Sequence, residues 1–284
     1  MKKIELLDDI SVIHLPRNKY LECLGAGDEG TVYKYDDRYA IKVFSYFEDG
    51  QELLKFAKIK LLSHLKDESF AFPIGYVYNQ EDMLIGYYMN LIKPHPLYES
   101  FKALYLKGCD KQTLLRLLIK ADAILQKAHQ KGIILGDIKK NNILINQEGN
   151  PIFIDTDNFK YQGFSYDLVP ERSTWLNDLY HRVFSDADND KFIFTLMALE
   201  MLYPHVNFYF RRDEEIFTNV INSIDFPNYV GVGIREILSD SDNKPYLGEI
   251  LEPILKDLSS EDLIIYKDDK NIIRERTIRY GSNT

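Results

Sequence analysis

Cysteine is nearly missing from this chain. Cys23 and Cys109 are the two present, far apart and without Cys or His neighbours at metal-ligand spacing, which excludes a disulfide framework and gives no sign of a zinc site. Their expected state is two buried thiols in a reducing cytoplasm. Long apolar runs are also lacking. No stretch approaches the roughly 20 apolar residues of a membrane span, and the opening MKKIELLDDISVIHLPRNKY acquires Glu5, Asp8 and Asp9 before any run long enough for a signal peptide. The expectation is a soluble cytoplasmic protein with no membrane segment. Basic charge is in deficit: 44 acidic against 35 basic residues leave a formal charge of -9, so nucleic acid is not an expected partner. There is no repeat and no low-complexity linker.

What is present is an ordinary globular composition, 45% hydrophobic and 28% charged over 284 residues, long enough to build a real core. Residues 20 to 44 read as strands: YLECL, a glycine-rich turn, then TVYKY and RYAIKVF on either side of Asp36 and Asp37. From Glu52 to Leu65 the period becomes helical, with Leu54, Phe56, Ile59, Leu62 and Leu65 on one stripe, and two β-like runs follow in FPIGYVY and MLIGYYMNLI. A long amphipathic helix lies in KQTLLRLLIKADAILQKAHQKG, where Leu114, Leu118, Ala121, Leu125 and Ala128 repeat and Gly132 stops it. NILI and PIFI flank the turn NQEGN as a β-hairpin. After about residue 188 the pattern is mostly helical. The expected fold class is α+β, with a small antiparallel-sheet part carrying one main helix over residues 1–94 and a larger helical part over 95–284.

Three motifs carry chemistry. In LGAGDEGTVYK, Gly25, Gly27 and Gly30 let backbone approach phosphate oxygens, and because strands flank them the context is a loop laid over a nucleotide, although a ligand-free turn has the same composition. In YAIKVF, Ala40 and Lys42 share one strand face, so Ala40 with Val32 can enclose a flat base while Lys42 reaches phosphate; a solvated edge lysine is the alternative. In LGDIKKNNILI and PIFIDTD, the antiparallel hairpin brings Asn142 and Asp155 side by side, an amide and a carboxylate of the kind Mg²⁺ takes. Asp137 can orient an attacking hydroxyl and Lys139 can neutralise charge on a transferred phosphoryl group. Asp and Asn are also common turn formers and caps.

In this order the three motifs resemble the protein-kinase superfamily from about Tyr20 to Leu202, with a flavour similar to the smaller bacterial eukaryotic-type Ser/Thr protein kinases. The resemblance implies a bilobal fold forming one kinase domain, ATP and Mg²⁺ as cofactors, and a protein hydroxyl as acceptor. It makes LGAGDEGTVYK the glycine-rich loop, AIK the strand-lysine motif, GDIKKNN the catalytic loop and IDTD the metal-binding site, with thirteen residues separating Asn142 from Asp155. It places the hinge at GYYMNLI, so that Asn90, Leu91 and Ile92 meet adenine beyond Met89, and it makes Asp190 the buried aspartate that anchors the catalytic loop.

The pattern also departs from that family. Leu135 and Gly136 stand where histidine and arginine are usual, and Thr156 and Asp157 follow the metal aspartate; Asp157 is either a further carboxylate near the metal or a local cap. The helix glutamate that should pair with Lys42 is hard to place: the phase puts Lys58 at the expected position, and Glu52 is the nearest acid yet faces away. Pro170 and Glu171 resemble the end of an activation loop, with Ser165, Tyr166, Ser173 and Thr174 as available hydroxyls; His129 reads as a packed histidine rather than a base. Two other readings stay open. A small-molecule kinase of the aminoglycoside or choline type would show an acidic acceptor pocket, and a pseudokinase scaffold would have no reason to keep Lys42, Asp137, Asn142 and Asp155 together.

Overall fold

The computed structural model describes residues 10–16, 20–27, 29–45, 52–163, 186–203, 228–239 and 243–257. Pro170, Glu171, Ser165, Tyr166, Ser173 and Thr174 lie outside them. Among the described residues the fold is α+β, a six-stranded sheet followed by helices. The strands are β1 (Ser11–His14), β2 (Glu22–Ala26), β3 (Gly30–Lys34), β4 (Tyr39–Phe44), β5 (Gly75–Tyr78) and β6 (Leu84–Asn90), in the spatial order β1-β5-β6-β4-β3-β2. The β3–β4 turn closes on Asp36, whose Oδ1 accepts the N–H of Arg38 (2.7 Å) and of Tyr39 (2.8 Å), the local bonding that makes Asp a turn residue.

The sheet is mixed, not purely antiparallel as expected. The difference is β1, which pairs parallel with β5, Ser11 beside Gly75 and His14 beside Tyr78. A four-residue edge strand with three exposed residues has no apolar alternation to announce it. Gly86 permits the close approach of β6 to β4: a Cβ there would overlap the carbonyl of Lys42.

Helix α1 (Glu52–Ser63) covers one sheet face, where Phe56 and Ile59 join Ala40, Phe44, Tyr76, Tyr87 and Met89 in one cluster. The Tyr76 hydroxyl donates to the Phe56 carbonyl at 2.7 Å and pins the helix to β5. Leu54, expected in this stripe, is instead 60% exposed: it lies two residues, about 200° of rotation, from Phe56. The thiols differ from expectation as well. Cys23 is exposed because all of β2, an edge strand, is exposed, and Cys109 is half-buried.

Beyond the sheet come α2 (Phe101–Lys107), α3 (Lys111–Gln130), the hairpin of β7 (Ile143–Ile145) and β8 (Pro151–Phe153), α4 (Asp186–Leu202), α5 (Asn228–Ile237) and α6 (Leu247–Asp257). Asp110 caps α3 by accepting the Thr113 N–H at 2.8 Å, and Gly132, at φ 72°, follows its end. Its stripe of Leu114, Leu118, Ala121, Leu125 and Ala128 is fully part of the larger core, with Phe192, Phe194 and Leu199 of α4. The two layers meet through the segment after α1. Ala71 N–H donates to the Phe153 carbonyl (2.9 Å) and Phe153 N–H to the Ser69 carbonyl (2.9 Å), while Phe70, Phe72, Phe153 and Phe159 pack ring on ring. No helix among the described residues is long and apolar enough to cross a membrane.

Asp122 of α3 receives the first turn of α6: its Oδ2 accepts the Gly248 N–H at 2.7 Å, while its Oδ1 is buried without a hydrogen-bond partner among the described residues. Burial pushes its carboxyl from 3.8 up to about 6, against the pull of the Gly248 and Leu247 N–H groups. Between those two pH values the folded chain holds a proton that the unfolded chain has released, so stability falls as pH rises through the window and is flat above it. Asp122→Asn cannot ionise and removes that slope. Thermal denaturation from pH 4 to pH 7 should show the variant gaining up to about 3 kcal/mol on the wild type across this range; a constant difference at all pH values would show that Asp122 is not the source.

Candidate functional site

A cleft of about 1090 Å³ opens between the sheet and the helical layer. All ten residues expected to contact a nucleotide, Gly25, Gly27, Gly30, Val32, Ala40, Lys42 and Met89 to Ile92, line it, and so do Asp137, Lys139, Asn142 and Asp155. Asp157 and Asp190 lie behind its wall, fully buried or nearly so. Glu52 opens α1, and its side chain is outside the described part of the structure.

The roof is the β2–β3 turn, closed by Gly27 N–H donating to the Gly30 carbonyl at 2.9 Å. Its glycines have different reasons. A Cβ on Gly30 would come within 2.5 Å of the Val43 carbonyl, so packing against β4 demands glycine there. A Cβ on Gly25 would meet nothing within 4 Å and one on Gly27 only the Gly30 carbonyl at 4.0 Å. Packing within the protein does not explain those two, and the bare backbone is left facing the cleft. At the back edge the Leu91 N–H is engaged by the Arg38 carbonyl at 2.7 Å.

Lys42 projects from β4 into a nest of acids. Its Nζ donates to Asp155 Oδ1 at 2.5 Å and to Asp157 Oδ1 and Oδ2 at 2.8 and 3.1 Å, with Glu29 Oε2 at 3.8 Å. Burial opposes the ammonium charge, but Asp157 and Asp155 outweigh it and hold the group above the ordinary lysine value. Asp157 is drawn the opposite way: burial would raise its carboxyl, yet Lys42 and Lys55 hold it well below the usual carboxylate range. Asp155 is raised, by burial and by the charge of Asp157, against the pull of Lys42. The Tyr87 hydroxyl donates to Asp157 Oδ1 at 2.8 Å, and burial with that carboxylate lifts the phenol well above its normal value.

Asp155 owes its place to the backbone. It follows β8, adopts the left-handed conformation (φ 63°, ψ 38°) and precedes a 3₁₀ turn over Thr156–Asn158, whose Thr156 hydroxyl donates to the Ala71 carbonyl at 3.0 Å. The N–H of Ile154 donates to the Asn142 carbonyl at 2.9 Å, so the two ends of the hairpin lie side by side. The Asn142 amide turns toward Asp137, donating to its carbonyl and its Oδ2 at 3.0 Å each, and Lys139 Nζ reaches the same Oδ2 at 2.6 Å. Asp190 holds this loop from below: it accepts the N–H groups of Leu135 (2.7 Å) and Gly136 (2.9 Å) and faces His129 Nε2 at 3.0 Å, while His129 Nδ1 meets the Tyr246 hydroxyl at 2.9 Å.

Three contributors escaped sequence reasoning: Glu29, Lys55 and Tyr87. Lys55 Nζ lies 3.6 Å from Asp157 and 3.7 Å from Glu29, over the Phe44 ring at 4.2 Å. Lys55 stands one turn before Ile59, which faces the core, whereas the resemblance calls for an acid on that face. Lys58, the residue the phase pointed to, is buried. The N-cap position of the 3₁₀ turn belongs to Asp155; Asp157 lies within the turn, and its oxygens go to Lys42, Lys55 and Tyr87. The nearest carboxylate oxygens of Glu29, Asp155 and Asp157 lie within 4.8 Å of one another.

No protein-family model and no curated protein sequence matches the chain.

Removing Asp190 orphans two backbone N–H groups and a histidine in a dry interior. Asp190→Ala should lower stability by about 3–5 kcal/mol, read by urea denaturation; a loss under about 1 kcal/mol would show that the loop does not hang on this carboxylate.

Proposed function

We propose that this protein is an ATP- and Mg²⁺-dependent phosphotransferase of the protein-kinase superfamily, with the sheet and helical layers as its two lobes and a Ser or Thr hydroxyl of a protein as its acceptor. One observation carries the reading: Lys42 from one side and Asp137, Asn142 and Asp155 from the other converge on a single cleft beneath a glycine turn whose first two glycines packing does not require. The donor set suits a hard divalent cation, since Asp155 offers a carboxylate and Asn142 an amide oxygen. That metal, held by those two residues, would neutralise phosphate charge and orient the transferred group.

The chain's own residues supply the rest. The open backbone at Gly25 and Gly27 leaves room for phosphates beneath the turn, and Val32, Ala40 and Met89 offer apolar walls for a base. Lys42 brings a fixed positive charge to the phosphate end. Asp137, nearly half exposed at 46%, is free to accept a proton from an incoming hydroxyl, contributing about 10²–10⁴-fold. Lys139 at 2.6 Å screens that carboxylate and the charge of the moving phosphoryl group.

Incubation of the purified protein with labelled ATP and Mg²⁺, with and without generic protein substrates, tests the reading. Label on protein supports it; consumption of ATP with protein unlabelled shows that the phosphoryl group goes to water or a small acceptor instead of protein, and binding without turnover identifies a scaffold. Asp155→Asn should lower metal-dependent turnover at least about 100-fold with the circular dichroism unchanged. Retained turnover would remove Asp155 from the metal.

A further inference from the structure

The two acids that grip Lys42 differ in what else can reach them. Asp155 faces the cleft with 28% of its side chain exposed, and among the described residues its second oxygen takes the Asn158 amide at 3.2 Å. Asp157 has no exposed side-chain surface. Its Oδ1 receives Lys42 and the Tyr87 hydroxyl, both at 2.8 Å, and its Oδ2 receives Lys42 at 3.1 Å with Lys55 at 3.6 Å. A cation entering the cleft therefore competes with Lys42 for Asp155, a phosphate competes with Asp155 for Lys42, and either leaves Asp157 where it is.

Lys55 gives this arrangement its sign. Helix α1 presents an ammonium to the centre of the site, and the acid comes from the Thr156–Asn158 turn. The same ammonium lies 3.7 Å from Glu29 on the glycine turn, so one helix side chain touches both the roof and the floor of the cleft.

Resting on the phosphotransfer reading of the cleft, we propose that Asp157 is the positioning residue that keeps Lys42 directed at the phosphates, with Lys55 of α1 holding Asp157 and Glu29 in place. The lysine's anchor is then built between β4 and the turn after β8. It stays assembled without a carboxylate delivered by α1, so a shift of that helix weakens the site only through Lys55.

The test measures binding of a fluorescent ATP analogue with Mg²⁺, alongside melting temperature and turnover. Asp157→Asn should fold, because Asp155 still pairs Lys42, and should bind the analogue about 10-fold or more weakly. Asp157→Glu keeps the charge and should stay within about threefold of the wild type. The double variant Lys55→Glu with Asp157→Asn moves the acid onto the helix and should recover at least about threefold of the lost affinity, a rescue that a purely structural role would not give. Unchanged affinity in Asp157→Asn, or a double variant no better than it, overturns the proposal; if Asp155→Asn still abolishes turnover, the phosphotransfer reading survives. A wild-type protein that takes no nucleotide overturns both.

Discussion

The molecule closes around the charge on Lys42. The ammonium is 5% exposed on an inner strand, and the acids that neutralise it, Asp155 and Asp157, lie 113 and 115 residues further along the chain. A buried cation without its partners costs several kcal/mol, so the sheet cannot settle on the helical layer in an arrangement that parts these groups. The requirement runs both ways, because Asp157 is buried more completely than Lys42. It also accounts for Asp155 remaining in the left-handed region, which costs a non-glycine residue about 1 kcal/mol: the ion pair on one side and the Thr156 hydroxyl bond to Ala71 on the other over-determine the turn.

A second anchor lies below the first. Asp190 on α4 fixes the backbone of Leu135 and Gly136, and the next element is tied to it by a two-way backbone bridge, Ile134 N–H to the Lys160 carbonyl at 3.0 Å and Lys160 N–H to the Ile134 carbonyl at 2.8 Å. Together with the Ile154–Asn142 bond, that bridge spans the loop bearing Asp137 and the turn bearing Asp155 at two points. Asp137, Lys139 and Asp155 thus stand on short connections between buried elements, positioned by backbone hydrogen bonds together with the Asp190 carboxylate and the Lys42 ion pair.

Much of this was legible in the order of residues, and the parts that were not share a physical reason. Helix α3 announced itself through a 3.6-residue stripe and its Gly132 stop, and the β7–β8 hairpin through the turn NQEGN between NILI and PIFI, because both signals are local. Strand β1 was silent: its register depends on a partner more than sixty residues away, and an edge position requires no alternation. The pairing of Lys42 was half legible. That an acid should pair with it was an expectation from the resemblance, which calls for a helix glutamate, but the choice of Asp157 over a helix acid follows from the tertiary meeting of α1 with the Thr156–Asn158 turn, which no periodicity records. Leu54 failed for the opposite reason, since hydrophobicity alone suggested burial that the helix phase contradicts.

The polar groups are graded by depth. Asp157 is sealed at the floor, Lys42 lies just above it, Asp155 and Glu29 are about three-tenths exposed, and Asp137 and Lys139 stand at the mouth. Groups at the floor have no water to replace a lost partner and so keep the ones they have; groups nearer the mouth can exchange a protein partner for a ligand at little cost. The phosphotransfer proposed for this cleft would need both kinds, a fixed charge that is not renegotiated at each cycle and peripheral oxygens that are. Lys55, the cation of α1, stands against the same sealed acid at 3.6 Å, so Asp157 is held by two ammonium groups from different elements while Asp155 is left with an oxygen toward the cleft.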